Sequence, residues 1–135
     1  MYPITEDHLL AINSFIIKDD EDRRPGIRDG AGSDLYFQLA AINREDDPIM
    51  KTALAIFTAN SHIFNNGNKR TAWALADAIL GEYVCYIKEN SDEIVGFLCW
   101  VASIEVPGKM SKDELVEEIV KWIRIRTCRL ERNSD

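Results

Sequence analysis

Histidine is almost missing from this chain: His8 and His62 are the only two among 135 residues. Imidazole is the side chain that exchanges a proton near neutral pH without unusual tuning, so such chemistry is confined to two positions. His8 falls in a first helical turn with no companion motif and reads as a surface residue. Cysteine is scarce as well. Cys85, Cys99 and Cys128 are odd in number, widely spaced and set in apolar surroundings. That pattern argues against a disulfide framework and a zinc site, and predicts reduced core residues of a cytosolic protein. Positive charge is in deficit, with 16 Lys and Arg against 23 Asp and Glu and a net charge of -7. Gripping nucleic-acid phosphates is therefore not the expected task, and no direct nucleic-acid binding is predicted. No run of about 18 apolar residues is present, and Met1–Asp7 shows no basic stretch leading into an apolar one. These absences predict a cytoplasmic protein with no membrane span. Internal repeats and low-complexity segments are lacking too.

What is present fits one compact domain over residues 1–135, with 46% hydrophobic and 29% charged residues. The apolar periods predict an all-α bundle of about six helices around a central apolar one. Thr5 caps the first, which carries Leu9, Ile12, Ile16 and neighbouring Leu10 and Phe15 to Ile17. Residues 18–33 carry charge, one proline and three glycines with no apolar period, which predicts an exposed, mobile loop. Asp34 is expected to cap a short helix through Leu35, Leu39 and Ile42. Asp47-Pro48 opens the next as cap and first helical residue, ending near Asn60. The central helix is expected from Asn68 to Leu80, apolar on nearly every side past Thr71, with Gly81 as a left-handed end and Asp77 exposed or paired. Glu82–Lys88 is β-prone but short. Asn90-x-x-Glu93 and Ser111-x-x-Glu114 read as capping boxes of the last two helices. In the last of these, Leu115, Ile119, Trp122 and Ile123 share a face, and acids precede Lys121, Arg124, Arg126 and Arg129 in the order favoured by the helix dipole. Glu131–Asp135 is expected to fray.

The candidate chemistry collects at residues 62–74, between two of these helices. Asn65-Asn66-Gly67-Asn68 is a polar turn of φ-permissive residues, and Lys69-Arg70 follows at a helix start. Unpaired N–H groups and two cations there make a ready anion site, with His62 beside it. A phosphate loop is excluded because the lysine follows asparagine and no strand precedes. A helix-turn-helix reader would need polar side chains on its second helix, and this one is Ala, Trp, Leu and Ile.

His62-x-Phe64-x-Asn66-Gly67-Asn68-Lys69-Arg70 resembles the Fic/Doc (Fido) pattern His-x-Phe-x-[Asp/Glu]-Gly-Asn-Gly-Arg-x-x-Arg, matching at His62, Phe64, Gly67, Asn68 and Arg70. In detail it looks most like the Doc branch, the death-on-curing toxins, which also have Asn-Lys-Arg and lack the last arginine. Here Trp73 stands at that position. The resemblance implies a Fido-type helical bundle that uses ATP and Mg²⁺. It further implies transfer of the terminal phosphate to a hydroxyl of a host protein, with control by a cognate antitoxin. By the same resemblance His62 is the general base, and Asn66, Gly67, Asn68, Lys69 and Arg70 hold the phosphates. Ile27, Arg28 and Asp29 sit where the family carries a substrate-side flap. Phe64 anchors the loop in the core. At Asn66 the family usually places an acid for Mg²⁺, and an amide oxygen is a poorer ligand for a hard cation. Two alternatives stay open: AMP transfer of the Fic type, and an inactive Fido binding module. The inhibitory pattern [Ser/Thr]-x-x-x-Glu-[Gly/Asn] is approached only by Thr127-x-x-x-Glu131-Arg132, which misses its final position.

Overall fold

The computed structural model describes residues 3–131. Six α-helices dominate them: α1 (Glu6–Ile17), α2 (Gly32–Arg44), α3 (Pro48–Phe57), α4 (Asn68–Glu82), α5 (Ser91–Ser103) and α6 (Lys112–Arg124). A 3₁₀ turn, Thr58–Ser61, extends α3, and two short antiparallel strands, β1 (Cys85–Ile87) and β2 (Thr127–Arg129), pair with Tyr86 opposite Cys128. The all-α reading is therefore correct. α3 and α4 pack most extensively on each other, and α1, α5 and α6 close around that pair.

Local signals explain most helix starts. Thr5 accepts from the His8 N–H at 3.1 Å, and Asp47 from that of Ile49 at 3.1 Å with Pro48 first in the helix. Ser111 and Glu114 form the reciprocal capping box, at 3.1 and 3.2 Å. The fully buried side chains Ile56, Leu75, Ile79, Leu115, Ile119 and Ile123 join α3, α4 and α6 in one core. On its flank the rings of Phe97 and Trp122 stack 4.0 Å apart and tie α5 to α6.

Several expectations are corrected. Asp34 does not cap α2; the helix begins earlier, at Gly32, and Asp34 lies in its first turn. α3 gives way to the 3₁₀ turn at Thr58 instead of running to Asn60. Gly81 does not end α4 in the left-handed region, since the helix continues to Glu82 and Val84 takes the positive φ of 58°. α4 is not buried all round: Asp77 and Ala78 face solvent. The Asn90 box is one-sided, because its main-chain N–H is taken by Glu89 instead of Glu93. Arg126 and Arg129 lie beyond α6, Arg129 in β2. Phe15 is exposed. The cysteines are not core residues; Cys99 is exposed and the other two are half-buried in the strands. Of the stretch expected to fray, 132–135 lie outside the described residues.

One contact beyond the reach of local pattern seats the centre of the molecule. Asn60 donates its side-chain amide to the carbonyls of Val101 and Ile104, both at 2.8 Å. These belong to the last turn of α5 and its exit, where helix carbonyls have no partner of their own. Asn60 thus caps one helix from the end of another. Asn60→Ala strands both carbonyls, and the expected loss of stability is about 2 kcal/mol in urea unfolding; a change within a few tenths would remove this role.

Candidate functional site

Two residues past Asn60 the chain reverses. His62 adopts the left-handed conformation (φ 49°, ψ 51°), which histidine tolerates better than most side chains. The reversal sends Ile63 and Phe64, 1% and 4% exposed, into the core and leaves the His62 ring at the surface. His62 Nε2 lies 3.2 Å from the Ala102 carbonyl oxygen, in the same α5 turn that Asn60 caps. A carbonyl only accepts, so Nε2 carries the proton and Nδ1 is the nitrogen free to take one.

The turn that follows is held by side-chain amides. Asn68 makes a two-point contact with Phe64: Oδ1 accepts from the Phe64 N–H at 2.8 Å, and Nδ2 donates to its carbonyl at 2.9 Å. Asn13 of α1, wholly buried, donates to the Asn66 carbonyl at 2.8 Å and to Thr71 Oγ1 at 3.1 Å. Gly67 is left-handed (φ 74°), and a Cβ there would stand 2.8 Å from Ile17 Cγ2. Only glycine lets α1 approach so closely. No side chain caps α4, so its first-turn N–H groups stay available to a ligand.

His62, Asn65, Asn66, Gly67, Asn68, Lys69 and Arg70 line one cavity of about 260 Å³. The structure thus brings the central candidates together. Lys69 is exposed and forms no ion pair among the described residues. The Asn68 side chain is committed to Phe64, so its contribution to an anion is its main-chain N–H. Asn66 turns its amide toward the Asp22 carbonyl. No carboxylate lines this cavity, and among the described residues no group of three or more His, Cys, Asp or Glu could hold a metal ion. In place of a carboxylate the cavity offers a Mg²⁺ ion the neutral amide of Asn66.

The expected flap lies beside the turn and is docked to it. Ile27 forms an antiparallel bridge with Phe64, and the Asn65 N–H donates to Gly26 O at 3.2 Å. Arg28 donates its main-chain N–H to Ile63 O and its Nε to His62 O, each at 2.7 Å. Asp29 is exposed. The loop expected to be free is therefore anchored at residues 26–28.

Sequence reasoning missed two participants. Asn13 is one, although a polar residue on the Leu9–Ile17 face of an amphipathic helix was a visible signal. Asp20 is the other, a member of what looked like a solvated acidic run. Its carboxylate meets Arg70 in a two-point pair, at 2.6 Å to one guanidinium nitrogen and 3.3 Å to the other. Arg70 also donates to Ile16 O at 3.2 Å. The hydrogen bond and charge of Arg70 hold the Asp20 carboxyl below its usual range.

Comparison with family models matches residues 3–80 to the Fic/DOC family. The match takes in α1 to α3, α4 as far as Leu80, the docked flap and the whole cavity. The chain belongs to the Fic/DOC family. Comparison with curated proteins finds no match. Fic/DOC proteins are in general protein-modifying transferases that use ATP, usually with Mg²⁺. In the described residues of this member, no helix is long and apolar enough to cross a membrane.

The Asp20 pair makes a measurable prediction. A carboxylate in two-point contact with Arg70 occupies the geometry that a phosphate would take. In Asp20→Asn, pyrophosphate should bind several-fold more tightly than in wild type by calorimetry. Equal or weaker binding would mean that Asp20 orients Arg70 and does not compete for it.

Proposed function

We propose that this Fic/DOC protein transfers the terminal phosphate of ATP to a hydroxyl side chain of a host protein, and that a cognate antitoxin neutralises it. The observation that carries the reading is the pairing of a cation-lined helix start with an apolar residue, Trp73, one turn along α4. AMP transfer of the Fic type calls for a second arginine at that position; Doc-like kinases do without it. His62, Lys69, Arg70 and the first-turn amides of α4 then suffice for the γ-phosphate.

In this reading His62 Nδ1 takes the proton of the attacking hydroxyl, while Nε2–H on Ala102 O fixes the ring. The hydroxyl oxygen forms a bond to the γ-phosphorus as the bond from that phosphorus to the β,γ-bridging oxygen breaks, and ADP leaves. Lys69, Arg70 and the amides of Asn68 and Gly67 neutralise the charge on the transferring group, which is most of what phosphoryl transfer asks of a protein. Asn66 offers an amide in place of the usual acid, so no step here is routed through a protein-held metal. Ile27, Arg28 and Asp29, docked along the turn beside His62, would face the incoming protein. Residues 1–135 would act as a single domain in the cytoplasm.

The second reading, an inactive Fido binding module, draws on Asn66 alone. One experiment separates the readings. Lysate proteins should acquire label from γ-labelled ATP and none from α-labelled ATP, and His62→Ala should lower transfer by about 10²–10⁴-fold. α-label on the target would replace kinase by AMP transfer. No label, with His62→Ala behaving as wild type in cells, would leave the binding module. Asn66→Asp should raise Mg²⁺-dependent transfer, and an unchanged rate would remove metal binding as the role of that position.

A further inference from the structure

α3 and α6 leave a groove of about 640 Å³ between them, which shares no lining residue with the His62 cavity. Met50 and Leu54, half-buried on α3, and Val116 and Val120 of α6 give it an apolar floor. Glu45 and Lys112 belong to its charged rim, and Asp113, Glu117, Lys121 and Arg124 run in a row along α6. Steps of four, four and three residues keep that row on one helix face, and all four side chains are exposed. The row is segregated, two acids and then two bases.

Within one molecule this order does little for the helix. Asp113 and Glu117 are like charges one turn apart, as are Lys121 and Arg124, an arrangement that weakens a helix. The dipole compensates only within the first and last turns, which leaves Glu117, in the second turn, unaccounted for. Among the described residues Asp113, Glu117 and Arg124 enter no salt bridge, and Lys121 has only Glu118, 3.3 Å away. Both members of that pair are exposed, so it contributes little and is easily exchanged.

We propose that this row docks on the same row of a second copy of the chain, with the two α6 helices antiparallel about a two-fold axis. Reversing the helix sets acids against bases: Asp113 faces Arg124 of the second copy, and Glu117 faces Lys121 of the second copy. Both pairings have their midpoint at or next to Ile119, so one axis satisfies them together and makes each of them twice. Parallel helices in register would set acid on acid, and a partner of a single charge sign would be repelled by half of the row. A helix carrying the same order in reverse is what fits, and this chain supplies it. The stems of Lys121 and Arg124 lie along apolar surface while their charges reach across, which gives the contact its dry part over the groove floor. Such an interface is of the small, polar class that forms and dissolves, with dimers in the micromolar range. The inference stands apart from the phosphate-transfer reading, since the groove and the His62 cavity have no residue in common.

The test is sedimentation of the full chain. Wild type should dimerise reversibly at low salt, and added salt should loosen the dimer because its ion pairs are exposed. One variant carries Asp113→Lys with Glu117→Lys, another Lys121→Glu with Arg124→Glu, and each alone should lose dimer affinity by at least about tenfold. Mixed in equal amounts, the two should form a heterodimer, since every facing pair is then opposite in sign. The mixture also controls for folding, because only folded chains can recover the contact. Wild type that stays monomeric at every concentration and salt overturns the inference. So do variants that dimerise as wild type does, or that remain apart when mixed.

Discussion

The capping of α5 by Asn60 is the contact on which the centre of the molecule turns. A helix end leaves carbonyls without partners, and here they serve as a socket. Asn60 takes two of them and His62 Nε2 a third, all within Val101–Ile104. The 3₁₀ turn, the left-handed residue and the burial of Ile63 and Phe64 follow from that seat. So does the state of the imidazole, whose proton position is set by a neutral backbone oxygen. A carboxylate partner would have brought a negative charge into the cavity lined by Lys69 and Arg70.

From that seat the turn is assembled with amides. Asn68 clasps Phe64, Asn13 reaches from α1 to the Asn66 carbonyl and Thr71, and Asn66 bonds the Asp22 carbonyl. Each is neutral, so the cavity is shaped without spending its positive potential. The cations stand at its edge on the first turn of α4, where the helix dipole adds to them. Arg70 alone is already paired, by Asp20.

Contacts a few residues apart in sequence could be read directly, and those 30 or more apart could not. Thr5, Asp47-Pro48 and Ser111 announce their helices because a cap needs only the next three residues. The candidate site was legible for the same reason: His62 and residues 65–70 lie close enough in the chain that one turn gathers them. The Ile27–Phe64 bridge, the Asn60 socket and the Asp20–Arg70 pair join segments far apart, and composition carried no sign of them. β2 was missed since three residues, Thr127-Cys128-Arg129, are too few to carry an alternating period, and they are ordered by pairing with β1. The left-handed residue after α4 was assigned to Gly81 on propensity. The chain places it at Val84, which shows tertiary context overriding a local preference.

The Asp20–Arg70 pair also bears on which solutes the site ignores. An arginine held by a tethered carboxylate meets that group at an effective concentration far above that of a dissolved monoanion. Chloride, acetate and free carboxylate metabolites each offer one weak charge against a partner that never diffuses away. On the proposed reading, a polyphosphate would engage Lys69 and the open amides of α4 first and contest Arg70 from there, so the resident carboxylate would act as a sieve for valence.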